Sequence, residues 1–319
     1  FLGVHHGESS FERLIIIKKI HSHGKSSPQS LNMFIDEAKT ASLLNHPNIV
    51  QIYDLSRIKD EIVIAMEYVD GENLQYVRNK LVEHKAKMPL PILLKLIIDA
   101  CDAMTYVHTA TGPDGTPLNL IHRDISSHNL MINSNGHLKI IDFGIAKSTI
   151  QTEFTSPGIM KGKLPYMPPE VFNGEEIDYR IDIYALGLII WEMLARKKPF
   201  QGDTNSSIYE TISRINKGEL PPLASFAGTP PDLDKIFRKA IHPDRTKRYQ
   251  SFEQFGKDVR AFAHANGTMA TVNDVRNWFR ATFADRVAQR QKLAVWALQK
   301  AKTTAPSQSL QNNQAEQLL

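Results

Sequence analysis

Three side chains with hard oxygen ligands stand close in the sequence. Asp124 and Asn129 lie five residues apart in "IHRDISSHNLMIN", and Asp142 follows in "IIDFG". His122 and Arg123 directly precede Asp124. The apolar runs 130–132 and 138–141 flank the turn residues "NSNG", which predicts a hairpin. Such a hairpin brings Asp124, Asn129 and Asp142 to one end of the structure. Carboxylate and amide oxygens suit Mg²⁺, and Mg²⁺ suits a nucleotide phosphate. A separate Asp then remains to orient a hydroxyl. Taken singly, an Asp before a strand is usually a cap or turn residue, so the spacing carries the reading.

The elements that must position these groups follow from periodicity and turn residues. Residues 1–20 read as strands; "RLIIIKKI" is dense in β-branched residues and carries Lys18. Residues 22–30 are a Gly/Pro/Ser loop. A helix is expected over 30–44, with Leu31, Phe34, Ala38 and Ala41 at helical spacing and Glu37 beside that stripe. Strands are expected at 49–55 and 61–68, joined by a turn at "SRIKD" (56–60). The polar "VDGEN" at 69–73 divides a small strand-rich unit from a larger helical one. In the latter, 93–108 is amphipathic through Leu93, Ile97, Cys101, Met104 and Val107, and 109–119 is a loop. Residues 182–194 are apolar nearly all round, so that helix belongs in a core. Residues 219–232 form a Pro-rich loop. One late amphipathic helix is expected over 272–300 through Val275, Phe279, Phe283 and Val287. The polar tail 303–318 has the composition of disorder. No internal repeat is visible.

Composition excludes several classes. A net charge of +4 on 319 residues does not argue for nucleic acid. The surplus is uneven: residues 257–302 hold nine Lys/Arg against three Asp, read first as a solvated helical face rather than a membrane or acidic-partner surface. A single cysteine, Cys101, rules out an internal disulfide and a cysteine metal cluster. It suits a reducing compartment, and its apolar neighbours suit a buried thiol. No run approaches the roughly 18 apolar residues of a membrane span, no signal peptide is visible, and a cytoplasmic location is expected. The first residue is Phe, which suggests a piece of a longer chain.

Seven motifs then fall in a known order. They are Lys18 in "IIIKK", Glu37 ten residues before the proline of "HPN", and "HRD" with its following Asn. After these come "DFG", "PPE" at 168–170, Asp182 in "DIYALG" and Arg248 in "DRTKRY". This set resembles the protein-kinase signature over roughly residues 1–262. The "HRDIS" wording and the "PDGTPLN" insertion are most similar to bacterial, eukaryotic-like (Hanks-type) Ser/Thr kinases. The resemblance implies an α+β, bilobal protein-kinase-like fold. Its divisions would be an N-lobe at 1–68, a hinge at 69–73, a C-lobe at 74–262, a helical extension at 263–302 and a tail at 303–319.

It also implies transfer of the γ-phosphoryl group of ATP, with Mg²⁺, to Ser/Thr hydroxyls of a protein substrate. Asp124 would orient the hydroxyl, and Asn129 and Asp142 would hold Mg²⁺. Lys18 would grip the phosphates, held in place by Glu37. Met66 would guard the back of an adenine pocket, with Met131 as its floor. Glu67, Tyr68 and Val69 would form the hinge whose backbone binds adenine. His122 would pack the turn, and Arg123 would await an anion. "HRDISSHN" lacks the Arg-and-Ala pattern of tyrosine kinases.

The sequence departs from the family in three places. The Gly-rich phosphate loop is missing: by alignment to Lys18, Phe1 falls just past it, in the second strand. The small Ala expected two residues before the strand lysine is Ile16, whose extra bulk at a packed adenine site costs about 1–3 kcal/mol. The catalytic-loop lysine position is Ser126, while Lys163 stands where Thr is usual; Lys163 is a candidate replacement cation. These departures keep open a pseudokinase, a nucleotide-binding or scaffold module. Activation by loop phosphorylation is expected at Thr155 first and Ser156 second, read out by Arg123.

Overall fold

The computed structural model describes residues 1–7, 12–21, 28–58, 61–143, 164–200, 207–226 and 229–304. The β-branched run at 13–20 falls in β2 (Glu12–His21), which pairs antiparallel with β1 (Leu2–His6) on one side. On its other side lies β4 (Glu61–Glu67), which in turn pairs with β3 (Ile52–Ile58), so the sheet order is β1-β2-β4-β3. Helix α1 (Pro28–Ser42) packs on β3. Ile62, Ile64 and Met66, at the two-residue spacing of one strand face, enter the core with Ala38 and Ala41 of α1.

A second sheet, β5-β6-β7, joins the short β5 (Gly71–Asn73) to the hairpin β6 (Leu130–Asn133) and β7 (Leu138–Ile140). Against it pack α2 (Leu74–Glu83) and α3 (Leu90–Thr109), and α4 (Pro169–Phe172) and α5 (Arg180–Ala195) follow in the chain. The chain continues through α6 (Ile208–Lys217), α7 (Pro231–Ala240), α8 (Phe252–Ala265), α9 (Val272–Thr282) and α10 (Ala284–Thr304). This is the expected α+β class: a strand-rich N-terminal sheet and a helical C-terminal part. Helix α5 is buried on every side, as its all-round apolarity requires. Among the described residues no helix is long and apolar enough to cross a membrane.

Cys101 is fully buried where α3 meets α8, and burial pushes its thiol up. A Cβ on Gly256 of α8 would come 2.9 Å from the Cys101 Cβ, so the glycine lets the two helices approach.

Three boundaries differ from the sequence reading. The strand expected at 49–55 is Ile52–Ile58 and consumes most of the expected turn. Residues before it pair with the hairpin instead: Val50 N donates to Ile140 O at 2.9 Å, and Ile140 N to Asn48 O at 2.7 Å. The polar "VDGEN" contains strand β5, because the hairpin offers it a free edge. The late helix is two, broken at Phe283. The break escapes periodicity because Phe283 N still donates to Phe279 O and Val287 N to Phe283 O. Phe283 itself is buried against Trp278 and Phe279. The tail at 305–319 lies outside the described residues.

Gly71 marks the tightest backbone approach in β5. A Cβ there would stand 2.1 Å from Ile132 O. Gly71→Ala is expected to cost about 1–3 kcal/mol, because backbone on both strands must shift. A urea titration checks this; an unchanged midpoint would mean that the β5–β6 pair yields freely.

Candidate active site

Residues 121–129 form the turn that carries Asp124, and buried groups fix its shape. Arg123 takes a positive φ of 60°, a conformation that needs outside support in a non-glycine residue. Asp182, 1% exposed at the start of α5, supplies it. Its Oδ2 accepts from His122 N at 2.8 Å and its Oδ1 from Arg123 N at 2.9 Å. The His122 ring is buried beneath. Asp124 N donates to His122 Nδ1 at 3.2 Å, which assigns the ring proton to Nε2, 3.1 Å from Ile141 O. His122 thus ties Asp124 to the segment bearing Asp142, with Phe143 packed 4.6 Å from its ring centroid.

Asn129 closes the turn. Its Nδ2 donates to both Asp124 O and Asp124 Oδ2 at 2.9 Å. Its main-chain O accepts from Ile141 N at 2.9 Å. The amide nitrogen is therefore committed to Asp124, which leaves the amide oxygen as the atom able to ligate a metal. Asp142, also at positive φ (53°), lies one residue beyond Ile141. Asp124 and Asn129 thus meet directly, and the Ile141–Asn129 bond brings the segment bearing Asp142 beside them; carboxylate and amide oxygens of this kind suit Mg²⁺.

Lys18 reaches this cluster, but through another partner than expected. Its Nζ donates to Asp142 Oδ1 at 2.7 Å. Glu37, the expected partner, instead has Oε1 3.9 Å from Arg123 Nη1. Burial raises the Glu37 carboxyl, and Arg123 offsets this in part. Two cations and two carboxylates meet here, and the pairs formed are Lys18 with Asp142 and Arg123 with Glu37.

The expected hinge is anchored from the hairpin. Lys139 Nζ lies 2.7 Å from Glu67 Oε1, and Gln51 N donates to Glu67 Oε2 at 3.2 Å. Met66 and Val69 are buried, and Tyr68 lies between Glu67 and Val69 at the start of this connection. Met131 on β6 pairs with Asn73 of β5 and with Lys139 of β7. Ile16 pairs with Met66, and the two-residue period puts Ile16 and Lys18 on one face. Lys163, Thr155 and Ser156 lie outside the described residues, while Ser126 is buried.

The comparison with known families agrees with this geometry: the protein kinase domain matches residues 4–258. The chain belongs to the protein kinase domain family. Tyrosine-protein kinase MasK of Myxococcus xanthus is 36% identical over 273 residues, covering 85% of this chain and 42% of its own. Serine/threonine-protein kinase PknB of Mycobacterium leprae is 30% identical over 252 residues, covering 77% and 38%. A probable serine/threonine-protein kinase of Clostridium perfringens is 28% identical over 247 residues, covering 77% and 34%. The chain spans less than half the length of each of these relatives.

Two supports of this kinase domain escaped the motif reading. Beneath the turn bearing Asp124, buried Glu192 of α5 accepts from Arg78 and from Tyr166 OH; Ser127 Oγ lies 3.2 Å from both Tyr166 OH and Glu192. Burial raises the Glu192 carboxyl, while Tyr166 and Arg78 lower it. The signal was present: a lone Glu in the apolar "DIYALGLIIWEML" must find partners if it is buried. The second support is Glu72, held by Arg286 and Arg290 of α10. Nothing in the local sequence pairs residues so far apart.

Proposed function

We propose that the domain transfers the γ-phosphoryl group of ATP to Ser/Thr hydroxyls of a protein substrate, with Mg²⁺ as cofactor. The observation that carries this is the single cluster made by Asp124, Asn129, Asp142 and Lys18. Mg²⁺ held by Asn129 and Asp142 would neutralise phosphate charge. Asp124 orients the substrate hydroxyl and receives its proton. The hydroxyl oxygen bonds to the γ-phosphorus as the bond to the β–γ bridging oxygen breaks, and ADP leaves. Lys18 holds the α- and β-phosphates, trading Asp142 for phosphate oxygens. Met66, Met131 and the backbone of Glu67, Tyr68 and Val69 take the adenine. Phosphorylation at Thr155, with Ser156 second, supplies an anion for Arg123 and frees Glu37 from it.

Ser/Thr preference is supported by the relatives named serine/threonine kinases and by the residues after Asp124. The tyrosine name of MasK makes this the point to test. Incubating the full-length protein with labelled Mg²⁺-ATP and mixed substrates, then separating phosphoamino acids, is expected to give phosphoserine and phosphothreonine. Phosphotyrosine alone would overturn the specificity. Lys18→Met is expected to lower kcat/KM about a hundredfold through lost phosphate binding; an unchanged value would remove Lys18 from the site.

One observation favours a second reading. Ile16 shares its face with Lys18, where its bulk opposes adenine. A protein that binds Mg²⁺-ATP but yields no phosphoamino acid would be a nucleotide-binding module instead.

A further inference from the structure

We propose that α9 and α10 form a clamp on the hinge, in which Arg286 and Arg290 are positioning residues that act through Glu72. This rests on the reading that residues 67–69 bind nucleotide. Glu72 sits in the middle of β5, directly after that segment, and its side chain is only 6% exposed. Arg286 Nε and Arg290 Nε both donate to Glu72 Oε1, each at 2.6 Å. The two guanidinium groups repel each other, so their meeting point is stable only around this carboxylate. Arg286 also lies over the Tyr76 ring of α2, 5.3 Å from its centroid.

The helix pair is fixed at both ends of this contact. On the C-lobe side, Arg280 Nε donates to Ser134 O at 2.7 Å, in the hairpin turn. Gly136 of that turn packs so closely on α9 that a Cβ would stand 2.3 Å from Val272 O. On the N-lobe side, α10 runs on against β1 and β2, and Lys302 Nζ lies 3.5 Å from Glu12 Oε2. One continuous helix therefore touches both sheets and crosses beside the hinge. Any rotation between the sheets that shifts β5 relative to α10 must pull a buried carboxylate away from its guanidinium partners. Asn73, next to Glu72, pairs with Met131, so the restraint reaches the proposed pocket floor as well.

The test is a double-mutant cycle in the full-length protein, with Arg290→Gln, Glu72→Gln and both together. Kd for Mg²⁺-ADP is the main readout. Each single change is expected to raise Kd about tenfold, and the pair no further, because both act on one contact. The KM for ATP should rise alike while kcat stays near wild type. A Kd unchanged in folded Arg290→Gln, or strictly additive effects, would overturn the clamp. If wild-type protein binds no nucleotide, the functional reading fails, and hydrogen exchange decides the clamp alone. Faster exchange at 67–73 in Arg290→Gln would support it, and equal exchange would overturn it. Should Arg290→Gln not fold, Arg290→Lys takes its place, since lysine keeps the charge but lacks the Nε donor that meets Glu72.

Discussion

Asp124→Asn yields a folded protein that no longer transfers phosphate: that is the expected result with the largest effect on activity. Asparagine keeps the side-chain shape, and its amide oxygen can still accept from Asn129 Nδ2, now 2.9 Å from Asp124 Oδ2. The backbone frame does not depend on the carboxylate either. His122 N and Arg123 N are held by Asp182, and Asp124 N by His122 Nδ1. What disappears is the negative charge that orients a hydroxyl and takes its proton. A positioned general base contributes about 10²–10⁴-fold, so a loss of about a thousandfold in kcat is expected. Melting temperature should move little. Initial rates with labelled ATP check this, beside a thermal melt; a near wild-type rate in a folded variant would remove Asp124 from the chemistry.

The largest loss of stability is expected from Arg248→Met. The Arg248 side chain is 0% exposed and its partner Glu170 is 3% exposed. The pair is a two-pronged fork: Nη1 donates to Glu170 Oε1 at 2.6 Å and Nη2 to Glu170 Oε2 at 2.7 Å. The same guanidinium serves carbonyls, with Nε donating to His242 O at 2.7 Å and Nη2 to Pro243 O at 3.0 Å. It also lies over the Tyr184 ring. Removing it leaves a buried carboxylate without its counter-charge, which typically costs about 3–5 kcal/mol. Replacing both residues by apolar side chains should recover much of that, because no unpaired charge remains. Urea unfolding of the single and double variants checks both statements; a loss below about 1 kcal/mol in Arg248→Met would show that water reaches Glu170.

Much of the site was legible because its residues sit on short, local patterns. Although the distant Asp182 fixes the shape of the turn, the hairpin at 130–140 depends on neighbours in sequence, so Asp124, Asn129 and Asp142 could be expected near one another from spacing. The all-round apolar run at 182–194 announced a buried helix for the same reason. Motif order then supplied Lys18, Met66 and Met131, which are far apart in the chain, by resemblance rather than by derivation.

Other features had no local signal. Whether Lys18 meets Glu37 or Asp142 depends on where α1 lies relative to the turn bearing Asp124, and side-chain spacing in one strand cannot report that. The helix break at Phe283 is hidden because the backbone hydrogen bonds and the apolar period both run through it. The buried polar network of Arg78, Tyr166, Glu192 and Ser127 was half visible, since a lone Glu in an apolar helix demands partners without naming them. Glu72 looked like an ordinary polar residue in a connector. Its burial under Arg286 and Arg290 was decided only when α10 folded back across β5, a contact between residues 214 and 218 positions apart. Local patterns fix which face a residue presents. Long-range packing decides what that face meets, because closing so long a loop costs entropy that no local pattern repays.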